Sequence, residues 1–106
     1  MIFYKMSGMK ESQIEKSLVK RVRDCGGLCY KFVSPNNPGV PDRIIITREG
    51  RTVYVELKTE VGRLAKIQQW QIEQMRLRGA DVRVTHGIDE VKALVRELFP
   101  EGVVRQ

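Results

Sequence analysis

Two β-prone runs of the stretch GVPDRIIITREGRTVYVELK, residues 39–58, each carry a carboxylate, and the second also carries a lysine. Asp42 precedes a run of three isoleucines, whereas Glu56 and Lys58 fall inside the second run, VYVELK. Carboxylate oxygens suit Mg²⁺ and Mn²⁺, and an ammonium group can stabilise the charge that develops on a reacting phosphate. The alternative is a structural ion pair of Lys58 with both acids, although burying such a cluster for stability alone is rarely favourable.

Whether the three side chains meet depends on the turn between the two runs. A three-residue loop over residues 48–50, which ends in a glycine of left-handed conformation, fixes one register. In that register Asp42 lies directly opposite Glu56, and strand alternation places Lys58 on the face of Glu56. A two-residue loop would shift the register by one residue and turn Asp42 to the other face.

Two predicted helices offer further polar candidates. Glu15 lies inside the apolar arc of the first helix, where it could face the sheet and its carboxylates. Its alternative role is a capping box, in which Ser12 is the N-cap and Glu15 the third helical residue. Gln68 lies in an apolar stripe of the second helix, so it could reach the carboxylates or be an ordinary boundary residue.

The patterns of hydrophobic and turn residues predict an α/β fold in the order α-β-β-β-α-β-α. The last strand should return beside the third through a helical crossover, which gives a mixed sheet flanked by helices. Residues 1–10 are interpreted as a loose leader, and residues 11–106 as one domain. The predicted helices cover 11–27, 62–78 and 89–99, and the strands cover 28–33, 42–47, 51–58 and 81–86.

The second helix carries two apolar stripes. One contains Leu64, Ile72 and Met75, and the other contains Trp70 and Leu77 with Ile67 at its edge. One stripe can pack on the sheet, so the second predicts an interface with another copy of the chain.

The charge of the chain favours a polyanionic partner. The 106 residues carry a net charge of +6 with a pI of about 9.6, which makes nucleic acid the first candidate. Arg43, Arg63 and Lys66 are the cations expected to contact it, although charged helix faces are usually only solvated.

The sequence disfavours a zinc site and a membrane-spanning segment. Cys25 and Cys29 have only His86 as a distant companion, which is too little for a zinc site. They are interpreted as small apolar fillers, and a reducing cytoplasmic location is expected. No apolar run approaches the length of a membrane span.

Asp42, followed after thirteen residues by Glu56-Leu57-Lys58, resembles the signature of PD-(D/E)xK nucleases. The stretches QIEKSLVK, GVPDRIII, VYVELKT, GRLAKIQQWQIEQMRLRGADV and the closing DEV helix resemble the VRR-NUC family within that superfamily. The similarity runs from about Glu11 to Phe99 and implies a restriction-endonuclease-like core.

The resemblance implies a metal-dependent DNA endonuclease. Asp42 and Glu56 would hold Mg²⁺ or Mn²⁺ together with the backbone carbonyl of Leu57, and Glu15 would reach the metal through water. Lys58 would orient or activate the attacking water.

The resemblance also places other residues and suggests a substrate. Gln68 matches the glutamine of the family's second helix, and Ala65 stands where the family usually has serine. Relatives that resolve DNA junctions suggest a homodimer that acts on branched DNA such as four-way junctions. Two alternatives stay open: a non-catalytic nucleic-acid-binding module and an RNA-directed nuclease of the same fold.

Overall fold

Seven elements follow one another in the predicted order within residues 8–104, the part of the chain that the computed structural model describes. The leader predicted for residues 1–10 therefore lies largely outside the described residues, and the single domain over 11–106 stays a prediction. The α/β class is confirmed. The elements are α1 Glu11–Asp24, β1 Leu28–Lys31, β2 Arg43–Ile46, β3 Thr52–Lys58, α2 Lys66–Leu77, β4 Val82–His86 and α3 Gly87–Leu98.

The four strands form one mixed sheet in the order β1-β2-β3-β4. β1 pairs with β2, and β2 with β3, in antiparallel fashion, as consecutive strands often do. β4 lies parallel to β3 because α2 carries the chain back between them. The predicted mixed sheet is confirmed.

The β2–β3 hairpin has the predicted register. Arg43 pairs with Val55, so the next position along each strand brings Asp42 toward Glu56. The loop is the three-residue form, with Gly50 at φ 88°, which glycine adopts without the steric cost that a side chain incurs. The ladder itself ends at Arg43, so Asp42 stands just before β2 rather than within it.

The hydrophobic core lies between one face of the sheet and the helices α1 and α3. Alternation along β3 turns Val53, Val55 and Leu57 toward this core, where each is at most 1% exposed. The apolar residues of α3 follow the spacing i, i+3, i+4, i+7, which gives the helix one apolar face. Its buried residues include Val91, Leu94, Val95 and Leu98, which pack with Ile14, Leu18 and Val22 of α1.

The opposite face of the sheet carries α2, which is less deeply packed. Ile72 is the one buried residue within α2. Polar contacts hold the helix as well: Gln71 donates to the Pro38 carbonyl at 3.0 Å, and Arg76 donates to the Val82 carbonyl. The apolar side chains on the outer side of α2 are left exposed.

α1 begins at Glu11 as predicted but has a different N-cap, whereas α2 begins later than predicted. Lys10, not Ser12, is the N-cap of α1, and its N–H donates to Oε1 of Gln13 at 2.9 Å, so the predicted capping box is wrong. α2 begins at Lys66, not at residue 62, because the Ala65 N–H donates to Oε1 of Gln68 at 2.9 Å while Ala65 itself is extended. The helices therefore start where a glutamine three residues on can satisfy a backbone N–H.

The remaining differences lie at element ends. β1 stops at Lys31, two residues earlier than predicted, and α1 ends at Asp24, ahead of its glycine pair. α3 starts at Gly87, where Oε1 of Glu90 accepts the His86 N–H at 2.8 Å. Within residues 8–104, none of the three helices has the length and hydropathy that a bilayer span requires.

Candidate active site

The loop before β2 positions Asp42 by packing against α2. Gly39 has φ 89°, and a Cβ placed there would lie 2.9 Å from the backbone of Ile67, so the close approach requires glycine. Gln71 binds the carbonyl of the neighbouring Pro38. These two contacts hold the loop against α2 immediately before Asp42.

Asp42 is brought to β3 in the predicted way. Its Oδ2 accepts the backbone N–H of Leu57 at 3.0 Å, and its carboxylate is close enough to Glu56 to interact with it. Glu56 and Lys58 lie on the same face of β3, with Lys58 Nζ 3.5 Å from Glu56 Oε2. The structure therefore gathers the two acids and the lysine at one end of the sheet.

Glu56 is a buried carboxylate with one oxygen unsatisfied. Its side chain is only 1% exposed. Oε2 accepts a hydrogen bond from Gln68 Nε2 at 3.0 Å, whereas Oε1 has no hydrogen-bond partner among residues 8–104. A buried acceptor without a partner is costly unless a ligand satisfies it.

The surroundings of Glu56 disfavour its charged form. Burial raises the pKa of Glu56 to about 7, and the neighbouring Asp42 carboxylate adds to the increase, while Lys58 opposes it. When ionised, two adjacent carboxylates beside one ammonium group leave one negative charge uncompensated. A divalent cation with oxygen ligands fits this donor set.

Gln68 connects the site to the first turn of α2. Its Oε1 accepts the Ala65 N–H at 2.9 Å, and its Nε2 donates to Glu56 at 3.0 Å. Both ends of the amide are engaged, which fixes its orientation. The structure thus places Gln68 beside the carboxylates, the first of the two positions that the sequence left open for it.

Glu15 lies apart from these carboxylates and binds Arg43. Glu15 Oε2 and Arg43 Nε are 2.7 Å apart, and both side chains are largely buried. Arg43 faces the same side of the sheet as its partner Val55, which is the core side, so this ion pair lies on the opposite face from Glu56. Among residues 8–104 no three His, Cys, Asp or Glu side chains are grouped to hold a metal, and the water-mediated role of Glu15 stays a prediction.

The residues predicted to contact nucleic acid or a second copy have different environments. Arg43 is committed to Glu15, whereas Arg63 and Lys66 are exposed near the start of α2. The side chains predicted for a dimer interface are exposed on α2, with 44% of Ile67, 54% of Trp70 and 71% of Leu77 accessible.

An aromatic pair beside the site was not predicted. The rings of Phe32 and Tyr54 have centroids 5.5 Å apart, and the Phe32 N–H donates to the Asp42 carbonyl at 2.9 Å. Strand alternation could have shown that Tyr54 shares the face of Glu56, because the two residues are two positions apart in β3. The pairing of β1 with β2, however, required the loop 34–41 to be known.

The cysteines contribute no reactive group to this site. Cys25 is buried and Cys29 is partly buried, and both are free thiols. Burial raises the pKa of Cys29 to about 11, so the thiolate that nucleophilic chemistry needs is scarce at neutral pH. This agrees with the prediction that they are apolar fillers.

Comparison with known proteins places these observations in a family. The family model of the VRR-NUC domain matches residues 3–89. The protein "Putative nuclease p44" of Acyrthosiphon pisum secondary endosymbiont phage 1 is 50% identical over 50 residues, which are 47% of this chain and 54% of that protein. The chain therefore matches about half the length of this curated relative.

Solved structures agree with the match. A chain described as "VRR_NUC domain" superposes with a TM-score of 0.76 and 30% identity, covering 81% of this chain and 94% of the other. A second, described as "VRR_NUC domain protein", has a TM-score of 0.70 and 19% identity and covers 91% and 93%, which supports the fold alone. The hairpin register and the placement of Asp42 and Glu56 agree with these matches. The chain belongs to the VRR-NUC domain family.

Proposed function

We propose that this protein is a metal-dependent endonuclease that hydrolyses DNA phosphodiester bonds. The observation that carries the proposal is the unsatisfied Oε1 of buried Glu56, beside Asp42 and Lys58. A buried carboxylate with one oxygen that accepts no hydrogen bond, and without a full counter-charge, suits a cation-binding position. Membership of the VRR-NUC family and the similarity to a phage protein named as a nuclease support the same activity.

In this proposal Asp42, Glu56 and the carbonyl of Leu57 hold Mg²⁺ or Mn²⁺. The bound ion would polarise a phosphoryl oxygen and lower the pKa of a coordinated water. Lys58 stabilises negative charge on the reacting phosphate and orients the attacking water. Gln68 holds Oε2 of Glu56 and so leaves Oε1 available to a ligand.

The test is cleavage of labelled DNA in Mg²⁺ or Mn²⁺ by the parent protein and by Asp42→Asn, Glu56→Gln and Lys58→Met. Each change should lower the rate by about 100-fold or more, because each removes a group from the charge-stabilising site. Glu73→Gln is the matched control, since Glu73 is an exposed acid on the outer part of α2. Variants that cut as fast as this control would show that the site assignment is wrong, whereas a parent protein that binds DNA without cutting it would be a binding module instead.

We further propose that the active form is a homodimer that prefers branched DNA. The exposed apolar side chains of α2 support the dimer, because an uncovered group of this kind often marks an interface. A four-way junction has two scissile strands related by a two-fold axis, and a symmetric dimer presents two sites with the same symmetry.

Two measurements test this part. Light scattering at micromolar concentration should give a dimer for the parent and a monomer for Trp70→Glu with Leu77→Glu. Linear, flapped and four-way substrates, in DNA and in RNA of the same shape, should show faster cleavage of the branched DNA. A parent monomer that cuts junctions at full rate would contradict the dimer, and equal rates on RNA would contradict the preference for DNA.

A further inference from the structure

A groove runs along the flank of α1, on the face of the sheet opposite Glu56. Its volume is about 640 Å³. It is called the α1 groove below. Its lining residues are Ser12, Glu15, Lys16, Val19, Lys20, Arg23, Asp24 and Arg43.

Half of the side chains that line the α1 groove are cations, and not all of them are neutralised. Arg43 pairs with Glu15 at 2.7 Å, and Lys20 pairs with Asp24 at 2.7 Å. No ion pair involves Lys16 or Arg23 within residues 8–104, and both side chains belong to exposed residues. The groove therefore has a net positive charge.

Charged helix faces are usually only solvated, so a ligand-binding role needs more than charge. Lys16 and Arg23 are seven residues apart, which is two helical turns, so both project from the same flank of α1 about 10 Å apart along the axis. Val19 lies between them and gives the groove an apolar floor. A concave strip with two unneutralised cations at this spacing matches a polyanion rather than a single small anion.

The α1 groove includes a residue that adjoins the candidate active site. Arg43 lines the groove, and it directly follows Asp42 in the chain. A strand of nucleic acid that lies in the groove would thus pass close to the end of the sheet where Asp42 and Glu56 meet.

We propose that the α1 groove binds the phosphate backbone of the DNA strand that enters the candidate active site, with Lys16 and Arg23 as its phosphate contacts. This proposal rests on the proposed nuclease function for its choice of DNA. It adds a binding surface and a direction of approach: the substrate passes the end of the sheet where β2 begins, from α1 toward Glu56.

The test measures DNA affinity in EDTA by fluorescence anisotropy of a short fluorescein-labelled duplex at about 50 to 200 mM KCl. Lys16→Glu with Arg23→Glu should weaken binding by about tenfold or more at low salt. The slope of log K against log salt should fall by about 2, because each phosphate contact contributes about 1. The neutral pair Lys16→Gln with Arg23→Gln should give the same loss of slope.

The matched control is Arg48→Glu with Arg78→Glu, which changes the net charge equally at exposed positions that do not line the groove. Its slope should differ from that of the parent by less than about 1. Thermal unfolding followed by circular dichroism should give similar midpoints for all variants. Groove variants that lose no more affinity and slope than the control would overturn the proposal.

Binding in EDTA separates this inference from the nuclease function itself. If the parent protein cuts DNA but the groove variants bind and cut like the control, the groove assignment fails and the activity stands. If the parent protein never cuts DNA but the groove variants have a lower DNA affinity and a smaller salt slope than the parent, the groove assignment stands and the proposed nuclease activity is wrong.

Discussion

At the scale of single residues, Glu56 is the most unusual group in the protein. It is almost completely inaccessible, one of its oxygens has no partner, and Asp42 lies beside it. Its charge therefore opposes folding when no cation is bound. The folded protein binds a proton at Glu56 more tightly than the unfolded chain does, with a pKa of about 7 against an ordinary value of 4.5.

We predict a pH dependence of stability from this difference. Below pH 4.5 Glu56 is neutral in both states and costs nothing; as the pH rises from 4.5 to about 7 the free energy of unfolding falls, and above 7 the full cost is present. In EDTA, Glu56→Gln should lack this decline and should be more stable at about pH 8 by on the order of 2 kcal/mol.

Urea denaturation of both proteins at several pH values checks this prediction, with Glu73→Gln as a control that should retain the decline. Parallel curves of unfolding free energy for the parent and Glu56→Gln would contradict it.

Since a metal requires the charged carboxylate, divalent-ion affinity should also weaken as the pH falls below about 7.

The sequence predicted the contacts among Asp42, Glu56 and Lys58 because each depends on strand alternation or on one short turn. It did not reveal that Arg43 binds Glu15, since these residues are 28 positions apart and on different elements. The local pattern Ser12-x-x-Glu15 suggested a capping box instead. A distant ionic partner decided the position of Glu15, and no local pattern carries that information.

At the scale of elements, the hairpin loop is the feature on which the site depends. Deleting Glu49 would shorten the loop to two residues and shift the register by one, which turns Asp42 away from Glu56. We expect cleavage to fall by about 100-fold or more, because the carboxylates no longer share a face.

Cleavage assays and thermal melts of the deletion variant test this expectation. Glu49→Asn, which keeps the loop length, should cut within about twofold of the parent, because exposed turn positions tolerate polar substitution. A deletion variant that retains both full activity and the parent melting temperature would show that register does not control the site.

The start of α2 offers a second test. Ala65 is the N-cap and has no side-chain oxygen, so the helix relies on Gln68 for the Ala65 N–H. Ala65→Ser supplies a hydroxyl that can accept a hydrogen bond from the first turn. It should raise the free energy of unfolding by about 1 kcal/mol without lowering cleavage.

Chemical denaturation gives the comparison, and Ala65→Val is the control, since it adds volume without an acceptor and should not stabilise the helix. A serine variant no more stable than the valine variant would contradict the expected cap. The N-caps Lys10 of α1 and Ala65 of α2 lack a favoured capping side chain, and this is why the N-cap of α1 and the start of α2 could not be predicted from the usual N-terminal pattern.

At the scale of the whole molecule, stability and chemistry occupy opposite faces of one sheet. The apolar core lies with α1 and α3, whereas the candidate site lies under α2. The order of the elements and the mixed sheet could be predicted, because each element has a local periodicity and consecutive strands usually pair. The allocation of charged side chains to the two faces required the three-dimensional arrangement.

An ion-pair network connects distant parts of the chain at the other end of the sheet. Asp81 binds Arg51 at 2.8 Å and Arg83 at 2.6 Å, and Arg83 also binds Glu97 of α3 at 2.9 Å. The Arg83 guanidinium, helped by Arg51, holds the pKa of Asp81 below its ordinary value. The network therefore connects the starts of β3 and β4 to α3.

We predict that Asp81→Asn lowers the free energy of unfolding by about 1 kcal/mol at neutral pH, the upper end for partly exposed pairs. Because the pKa is lowered, this contribution is present above pH 3.8 and is lost as the pH falls through the folded-state pKa. Asp24→Asn, which breaks the exposed Lys20 pair, should cost less. A loss for Asp81→Asn that does not shrink in acid would exclude the ionic origin.

The double engagement of Gln68 has a thermodynamic consequence for regulation. The helix that presents Trp70 to solvent is the same helix that holds Glu56 through Gln68. A partner that binds the outer side of α2 and shifts its first turn would therefore change the affinity of Glu56 for a ligand. By thermodynamic linkage, a ligand bound at Glu56 would change the affinity of α2 for that partner by the same factor.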